Sequence, residues 1–329
     1  MSNRGMLDLI ISLLPGIRLT EKIKLLETFD QTEQIFVQSK RDIEVIINRP
    51  LKEFWDIIEI SDKAGRIDTI CGMRSIKWTS WSEAEYPPML REIYDPPSVI
   101  FYRGSLPDPE KSILGVVGTR KPSPEAAEQA YKIAGNLSRL GIPVISGLAL
   151  GIDAMAHRGS LIGSAPAYAV LGSGIDEIYP SSNRPLAKRI LDSGGAIISE
   201  YPPGVPPSKW SFPARNRIIS ALSRSVLIVE APFKSGALIT AAFALEQGKD
   251  LWVASAGIEQ DSNRPGLFDK RGSAKLVRDG AEVISSACDV IDKWNLEPAA
   301  ALAAKAGEKT MLCPRELISS MADFLKIEI

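Results

Sequence analysis

The chain has 329 residues, of which 45% are hydrophobic and 24% are charged. These proportions are typical of a globular protein with a sizeable core, and they exclude a chain that is disordered throughout. The 39 Lys and Arg residues are balanced by 40 Asp and Glu residues, for a net charge of -1. Overall charge therefore does not attract a polyanion, and any nucleic-acid site must be a local patch.

The cysteine spacing and the hydropathy of the chain indicate which compartment and which kinds of site to expect. Neither CxxC spacing nor a histidine cluster occurs in the sequence, so we expect no metal site and no cofactor, in a reduced cytoplasm. Apolar runs fall short of the roughly 18 residues of a membrane span. Asp8 and Pro15 interrupt the first apolar stretch, which does not fit a secretion signal. The cysteines are Cys71, Cys288 and Cys313.

The first 70 residues predict a small all-helical domain. Apolar residues recur there at spacings of three and four, as in a helix with one buried face. The turn at residues 13–17, which contains Pro15-Gly16, resembles the hairpin of helix-hairpin-helix or sterile-alpha-motif modules, whose amides can meet phosphate. An ordinary Pro-Gly turn between two helices is the alternative. The helical pattern rests on Leu7, Ile10, Ile11, Leu14, Ile23, Leu26, Phe54, Ile57 and Ile58.

A second segment, residues 71–110, has a different character. Two tryptophans, Trp78 and Trp81, and two Pro-Pro pairs frame short extended pieces such as residues 98–102. We interpret this segment as a collar that joins the helical domain to the rest of the chain.

From residue 113 the sequence alternates apolar strands, glycine turns and helical stretches. This alternation predicts an α/β domain over residues 71–290, collar included, with an extended Rossmann-like, largely parallel and doubly wound sheet. Residues 291–329 predict a helical tail but no convincing winged helix. The apolar residues that recur there at helical spacing are Leu317, Met321, Phe324 and Leu325. The predicted strands are residues 113–117, 143–145, 167–171, 196–198, 226–229 and 251–254.

The first glycine turn, Gly118-Thr119-Arg120, is followed by Ser123-Pro124, which predicts a helix cap and first turn. A backbone can approach a phosphate at Gly118, and Arg120 adds a charged hydrogen-bond donor. The turn lacks the GxGxxG pattern of dinucleotide-binding sites. A purely structural turn is the alternative.

The second and third strands end in further glycine turns. Ser146-Gly147 leads to Asp153 and His157, which stand four residues apart and would share one helix face. Either they form a catalytic pair, or Asp153 and His157 are buried groups that satisfy loop backbone; the sequence shows no nucleophile or metal partner. Gly172 follows the third strand, and Tyr179-Pro180 leads to Arg184, Lys188 and Arg189, which we interpret as a solvated helix face.

The segment 209–219 is the richest in binding chemistry. It combines cations with Trp210 and Phe212, the mixture that single-stranded nucleic acid requires: charges for phosphates and aromatic faces for unstacked bases. The alternative is that the aromatics are core anchors and the arginines pair with Glu200 or Glu230. A fourth glycine turn, Ser235-Gly236 with Thr240 one helical turn later, is again suited to an anion. Four such turns at one sheet edge favour an extended polyanion over a single nucleotide.

These motifs resemble, in order and spacing over roughly residues 80–285, the bacterial DNA-processing protein A family, also called Smf. The Phe-Pro-x-Arg-Asn-Arg and Ser-Gly-x-Leu-Ile-Thr-Ala strings carry most of the resemblance. The matching segments are Gly118-Thr119-Arg120, residues 146–153 with Ala156-His157, Tyr179-Pro180, Ser199-Glu200, residues 212–219 and residues 235–241.

The resemblance implies a non-catalytic, homodimeric protein that binds and protects single-stranded DNA and loads the RecA recombinase in natural transformation. It assigns DNA contact to Arg120 and Lys209, base stacking to Phe212, and support of the pocket to Arg215 and Arg217. Dimer and RecA surfaces would lie near Leu276 and Val277. The full predicted DNA-binding set is Gly118, Thr119, Arg120, Ser146, Gly147, Gly172, Lys209, Phe212, Arg215, Asn216, Arg217, Ser235, Gly236 and Thr240.

This chain departs from the family pattern at three positions. Thr119 replaces the usual serine, Leu150 replaces the usual arginine, and Ala256 replaces the usual proline, so we expect somewhat weaker DNA binding.

Two enzyme classes are weaker interpretations. Nucleotide phosphoribohydrolases of the lysine-decarboxylase-like family place acidic residues directly after a comparable loop, whereas this chain has no carboxylate between Thr240 and Glu246. An NAD-dependent oxidoreductase would need the missing glycine fingerprint and an acidic ribose partner.

Overall fold

The structure, a computed structural model, describes residues 3–52, 56–258 and 267–296. Phe54 and the predicted tail helix with Leu317, Met321, Phe324 and Leu325 lie outside these residues. The helices in the described ranges are α1 (Asn3–Leu13), α2 (Leu19–Thr28), α3 (Thr32–Phe36), α4 (Lys40–Ile47), α5 (Ile57–Met73), α6 (Pro88–Arg91), α7 (Pro124–Arg139), α8 (Ile152–Ser160), α9 (Arg184–Asp192), α10 (Ser211–Ala221), α11 (Gly236–Glu246), α12 (Arg271–Arg278) and α13 (Ala287–Lys293). The strands are β1 (Lys77–Ser80), β2 (Val99–Gly104), β3 (Leu114–Val117), β4 (Val144–Ser146), β5 (Ala167–Val170), β6 (Ala196–Ser199), β7 (Ser225–Ile228), β8 (Asp250–Ala254) and β9 (Glu282–Ile284).

The strands form one sheet in the order β1-β2-β6-β5-β4-β3-β7-β8-β9. The seven strands from β3 to β9 run parallel to one another, which confirms the predicted α/β fold with a largely parallel sheet. All six predicted strands are present, each within two residues of its expected bounds. The short β9 was not predicted, because two of its three residues are exposed and give no apolar run.

The collar belongs to the sheet rather than to a linker. β1 pairs antiparallel with β2, with Trp78 opposite Phe101, and β2 pairs antiparallel with β6. The sequence did not reveal this pairing, because both strands are short and Pro-Pro pairs interrupt the collar. The collar therefore extends one edge of the sheet.

Side chains cover both faces of the sheet, and the alternation along β3 shows how. Val116 packs into the core on one face with α7 and α8, whereas Val117 packs into the core on the other face with α10 and α11. Strands buried on both faces need continuous apolar runs, which explains why they were easy to predict.

The predicted N-terminal helices are confirmed, and they do not stand apart from the sheet. One contiguous cluster of buried side chains joins Leu7 and Leu26 of these helices to Ala167 and Ile197 of the sheet and to Ile190 of α9. α5 also continues to Met73, past the predicted domain boundary at residue 70. That boundary stays a prediction, and packing at this point is continuous.

Two classes of feature are missing from the described ranges. Within residues 3–52, 56–258 and 267–296, no helix is both long and apolar enough to cross a membrane. The same residues bring together no group of three or more His, Cys, Asp and Glu side chains that could hold a metal ion.

Candidate functional site

A cleft of about 650 Å³ opens at the carboxyl edge of the sheet. It collects the segments that follow β3, β4 and β7 together with the start of α10, because parallel strands end at the same edge. Ten of the fourteen predicted site residues line it. These are Gly118, Thr119, Arg120, Lys209, Phe212, Arg215, Asn216, Ser235, Gly236 and Thr240.

Three further predicted residues support the cleft from behind. Ser146 is fully buried and donates its hydroxyl to the carbonyl of Val116 at 2.6 Å. Gly147 leaves room for the Arg215 guanidinium, into which a Cβ would run. Gly172 leaves room for Phe212, whose Cδ1 would lie 2.8 Å from a Cβ. Close packing therefore explains these small residues.

Gly118 has a similar explanation. A Cβ at this position would lie 2.6 Å from Cγ1 of Ile152, on the first residue of α8. The glycine lets α8 pack closely against the end of β3. The sequence had suggested a different reason for this glycine, the approach of a phosphate.

Aromatic rings and cations form the middle of the cleft. The Arg120 guanidinium lies 5.5 Å from the centre of the Phe212 ring, and the Phe212 ring lies 5.4 Å from that of Tyr179. At the rim, Lys209 places its Nζ 4.9 Å from the ring of Trp210, which is 74% exposed. Such cation-π contacts orient long side chains that would otherwise move freely. The result is a partly exposed stacking surface of Phe212 and Tyr179, with the positive charge of Arg120 over the Phe212 ring.

A buried arginine forms the floor of the cleft. Arg215 is 4% exposed and donates from Nη1 to the carbonyl of Val170. Burial lowers its pKa to about 10, and the Asp153 carboxylate opposes that shift. The guanidinium remains charged at neutral pH, so Arg215 supplies fixed positive charge beneath the rings.

The Asp153-His157 pair is structural. Asp153 accepts hydrogen bonds from the amides of Gly147 (3.2 Å) and Ala149 (3.4 Å), and burial raises its pKa. His157 is fully buried, and burial together with nearby Arg215 lowers its pKa to about 3. An imidazole that is sealed from solvent and neutral is unsuited to proton transfer with a ligand. Asp153 satisfies loop backbone, as the alternative interpretation expected, whereas neither ring nitrogen of His157 has a hydrogen-bond partner among the described residues.

Arg217 is a predicted site residue that the structure places away from the cleft. Its guanidinium makes two hydrogen bonds to Glu200, at 2.9 and 2.6 Å, and is 4% exposed. It lines a second cavity of about 640 Å³ rather than the cleft. Arg215 and Arg217 lie about 200° apart around α10, because each residue of a helix turns by about 100°. Pairing with an acid, the alternative interpretation, is what the structure shows, and DNA contact by Arg217 stays a prediction that this position does not favour.

α11 presents its N-terminus to the cleft, as predicted. Ser235 caps the helix, accepting from the amide of Ala237 at 3.2 Å. Asn216 donates to the carbonyl of Gly236 at 3.2 Å and so ties α10 to this turn. Thr240 is 1% exposed, and its hydroxyl has no hydrogen-bond partner among the described residues. A capped N-terminus beside an unsatisfied hydroxyl is suited to an anion.

The predicted cap of α7 is also present. Ser123 accepts from the amide of Ala126 at 3.3 Å and donates its hydroxyl to Glu230 at 2.6 Å. Glu230 is 1% exposed and also accepts from the amide of Ser123 at 3.0 Å. This carboxylate fixes the start of α7 beside the first glycine turn.

Two surfaces that the sequence suggested for binding lie outside the cleft. Leu276 and Val277, on α12, are half-buried against the core that contains α11. The N-terminal turn at residues 13–17 does not line the cleft, and Arg49 donates to the carbonyl of Gly16 within it at 2.5 Å. A role in binding for either surface stays a prediction.

Two residues that line the cleft were not among the predicted site residues. Tyr179 was noted only as part of a Tyr-Pro motif, yet its ring contacts Phe212 from 33 residues away in sequence. Lys234, just before the α11 cap, also lines the cleft and is exposed. Its place beside Ser235 was a usable signal, whereas the Tyr179 contact depends on how two distant loops fold.

A profile of the DNA recombination-mediator protein A family matches residues 77–295. Protein Smf of Synechocystis sp. is 44% identical over 208 residues, which are 62% of this chain and 50% of that protein, so this chain spans half of that relative. Protein Smf of Borreliella burgdorferi is 33% identical over 282 residues, 84% of each chain. The DNA processing protein DprA of Bacillus subtilis is 39% identical over 215 residues, 64% of this chain and 69% of that protein.

Two solved structures are similar over most of their length. The X-ray structure of DNA processing protein A from Streptococcus pneumoniae has a TM-score of 0.69 and 30% identity, covering 89% of this chain and 98% of that one. DNA processing protein A from Helicobacter pylori, whose structure is described for its single-stranded DNA binding mode, has a TM-score of 0.55 and 28% identity. That match covers 66% of this chain and 95% of the Helicobacter chain.

Proposed function

The chain belongs to the DNA recombination-mediator protein A family, and on that premise we propose that its cleft binds single-stranded DNA. The single observation that carries the proposal is the partly exposed stacking surface of Phe212 and Tyr179 with Arg120 over the Phe212 ring. Unstacked bases have exposed π-faces, and stacking on aromatic side chains contributes about 1–3 kcal/mol per base without regard to sequence. The Helicobacter relative, described as binding single-stranded DNA, adds support.

Phosphates would be held on both sides of the stacked base. Arg120 and Lys209 are exposed cations at the cleft, and Arg215 adds fixed charge below. The α11 N-terminus with Thr240 provides a further anion position. Arg217, bound to Glu200, has no part in this arrangement.

The cellular role that we propose follows from the family. The protein would protect incoming single-stranded DNA, load the RecA recombinase and act in natural transformation, as a homodimer in the cytoplasm. The DNA processing proteins of Bacillus subtilis and Streptococcus pneumoniae support a role in DNA processing. Leu276 and Val277 remain our candidates for the dimer or RecA surface.

We propose binding without catalysis. The first carboxylate after Thr240 is Glu246, which lines the second cavity and not the cleft. Asp153 is the carboxylate among the described cleft residues, and it already accepts two backbone amides. A glycosidic hydrolase needs a free acid or base at the substrate, so the phosphoribohydrolase alternative has little support here.

Fluorescence anisotropy of a labelled oligo-dT, measured over a series of salt concentrations, tests the proposal. We expect binding that tolerates changes of sequence and weakens with salt, with a slope of about -0.7 in log K per phosphate contacted. Absence of binding at low salt would overturn it. Release of free base from nucleoside monophosphates by the purified protein would favour the hydrolase instead.

Thr240 provides a finer test of the anion position. Thr240→Val removes the hydroxyl but keeps the shape of the side chain, and we expect affinity for oligo-dT to fall about fivefold, the value of one hydrogen bond of about 1 kcal/mol. Thr240→Ser keeps the hydroxyl and is the matched control. Equal affinities of the Val and Ser variants would show that no phosphate contacts this group.

A further inference from the structure

We propose that the basic surface of α9, formed by Arg184, Lys188 and Arg189 and named here the α9 surface, is a track for phosphates. It would continue the single-stranded DNA site beyond Tyr179. The inference rests on the proposed function and names the path by which a longer strand leaves the cleft.

The fold holds the α9 surface next to the cleft. α9 begins five residues after Tyr179, whose ring is 44% exposed and contacts Phe212. Asn183, just before α9, is 3% exposed and donates to the carbonyls of Leu148 at 2.9 Å and Ala149 at 3.3 Å. Ala149 lines the cleft. The start of α9 is therefore fixed against a wall of the DNA site.

Positive charge predominates on this surface, where Asp192, the last residue of α9, is the acid. From Tyr179 to Leu191 the sequence contains three cations and no acidic residue. Arg184 and Arg189 are exposed and form no ion pair with any described residue, while Lys188 makes only an exposed pair with Asp192 at 3.7 Å. Exposed pairs of this kind are weak. In a chain of net charge -1, such a segment is a local positive patch of the kind that a nucleic-acid site requires.

The described neighbouring elements add few exposed acids. α8, which packs against α9, exposes Arg158, and its one acid, Asp153, is buried. On the loop before Tyr179, Asp176 is bound by Arg74 at 2.6 Å. Glu177 is the exposed acid of that loop.

Helix stability does not explain the position of Arg184. It is the first residue of α9, and the first turn holds no acidic residue. A cation at a helix N-terminus is unfavourable, because the helix dipole is positive there. A bound phosphate would reverse that penalty, since the arginine and the dipole would both attract it.

The spacing of the cations on α9 and the surface near Tyr179 both fit one continuous strand of DNA. Arg184 and Lys188 are four residues apart, so they share one face and lie about 6 Å apart along the helix axis. Leu150 is 48% exposed and lines a small recess together with Tyr179 and Pro180. An apolar side chain there leaves a surface over which a base can pass before the next phosphates meet the α9 surface.

The test compares oligo-dT of about six and about twenty nucleotides, because a single OB fold, another fold that binds single strands, covers about 4 to 16 nucleotides. We expect Arg184→Glu/Lys188→Glu to bind the short oligonucleotide within about twofold of wild type and the long one about tenfold more weakly. The salt slope for the long oligonucleotide should fall by about 1.4, corresponding to two lost phosphate contacts. Lys63→Glu/Arg66→Glu, which reverses two exposed charges on α5, is the matched control for net charge.

The outcomes separate this inference from the proposed function. Equal weakening of both lengths, or the same loss in the α5 control, would mean general repulsion and would overturn the track. Unchanged binding of the long oligonucleotide would also overturn it, while the cleft would remain a DNA site. Failure of the wild-type protein to bind either length would overturn the proposed function itself.

Discussion

Arg217→Met is expected to lower the free energy of unfolding by about 3–5 kcal/mol. Arg217 and Glu200 are 4% and 11% exposed and bond at two points. Removing the arginine leaves the Glu200 carboxylate without its partner in a place that water hardly reaches. The carbonyl of Asp95, which accepts from Nε at 2.8 Å, also loses its donor. Urea unfolding followed by circular dichroism measures the difference.

A double variant provides the control. Arg217→Met/Glu200→Leu removes both charges, and we expect it to recover most of the lost stability, because an apolar pair of similar volume often replaces a buried ion pair at little cost. If Arg217→Met alone were as stable as wild type, the pair would not be buried as the structure has it. Wherever the single variant remains folded, we expect its affinity for oligo-dT to match that of wild type, since Arg217 lies outside the cleft.

The opposite behaviour is expected of Arg120→Ala/Lys209→Ala. Both side chains are exposed at the cleft and contact ring faces rather than acids, so their loss should shift the melting temperature by no more than about 2 °C. Affinity for oligo-dT should fall about 100-fold, because two charge-assisted contacts of about 1.5 kcal/mol each are lost. The salt slope should decrease by about 1.4.

Lys132→Ala/Arg139→Ala is the matched control, since it removes two exposed cations from α7 outside the cleft. We expect it to bind as wild type does. Undiminished binding by Arg120→Ala/Lys209→Ala across the salt series would contradict the assignment of the cleft. A large loss in the α7 control would mean that binding depends on net charge alone.

The sheet and the cleft were predictable because their signals are local. Apolar runs such as 167–171 mark strands buried on both faces, and the pairs Ser123-Pro124 and Ser235-Gly236 mark helix starts. Parallel strands then bring the turns together without any knowledge of the side-chain contacts.

Orientation within the site was not predictable in the same way. Whether Arg215 or Arg217 faces the cleft depends on the helical turn of α10, which the polar and aromatic segment 209–219 did not reveal. The contact of Phe212 with Tyr179 depends on two loops meeting across the sheet edge. The collar strands β1 and β2 join the sheet through pairings that leave no periodic trace in sequence.

The core shared by the N-terminal helices and the sheet sets a practical limit on dissecting this protein. α1 contacts β1 and β2, and Leu7 and Leu26 share one buried cluster with Val99 and Phe101 of β2, so the helices help to cover this face of the sheet. A fragment that began after α5 would leave this face open to water and prone to self-association. Shortening the protein to its DNA cleft would therefore require a redesigned, polar surface in place of the helices that now cover that face.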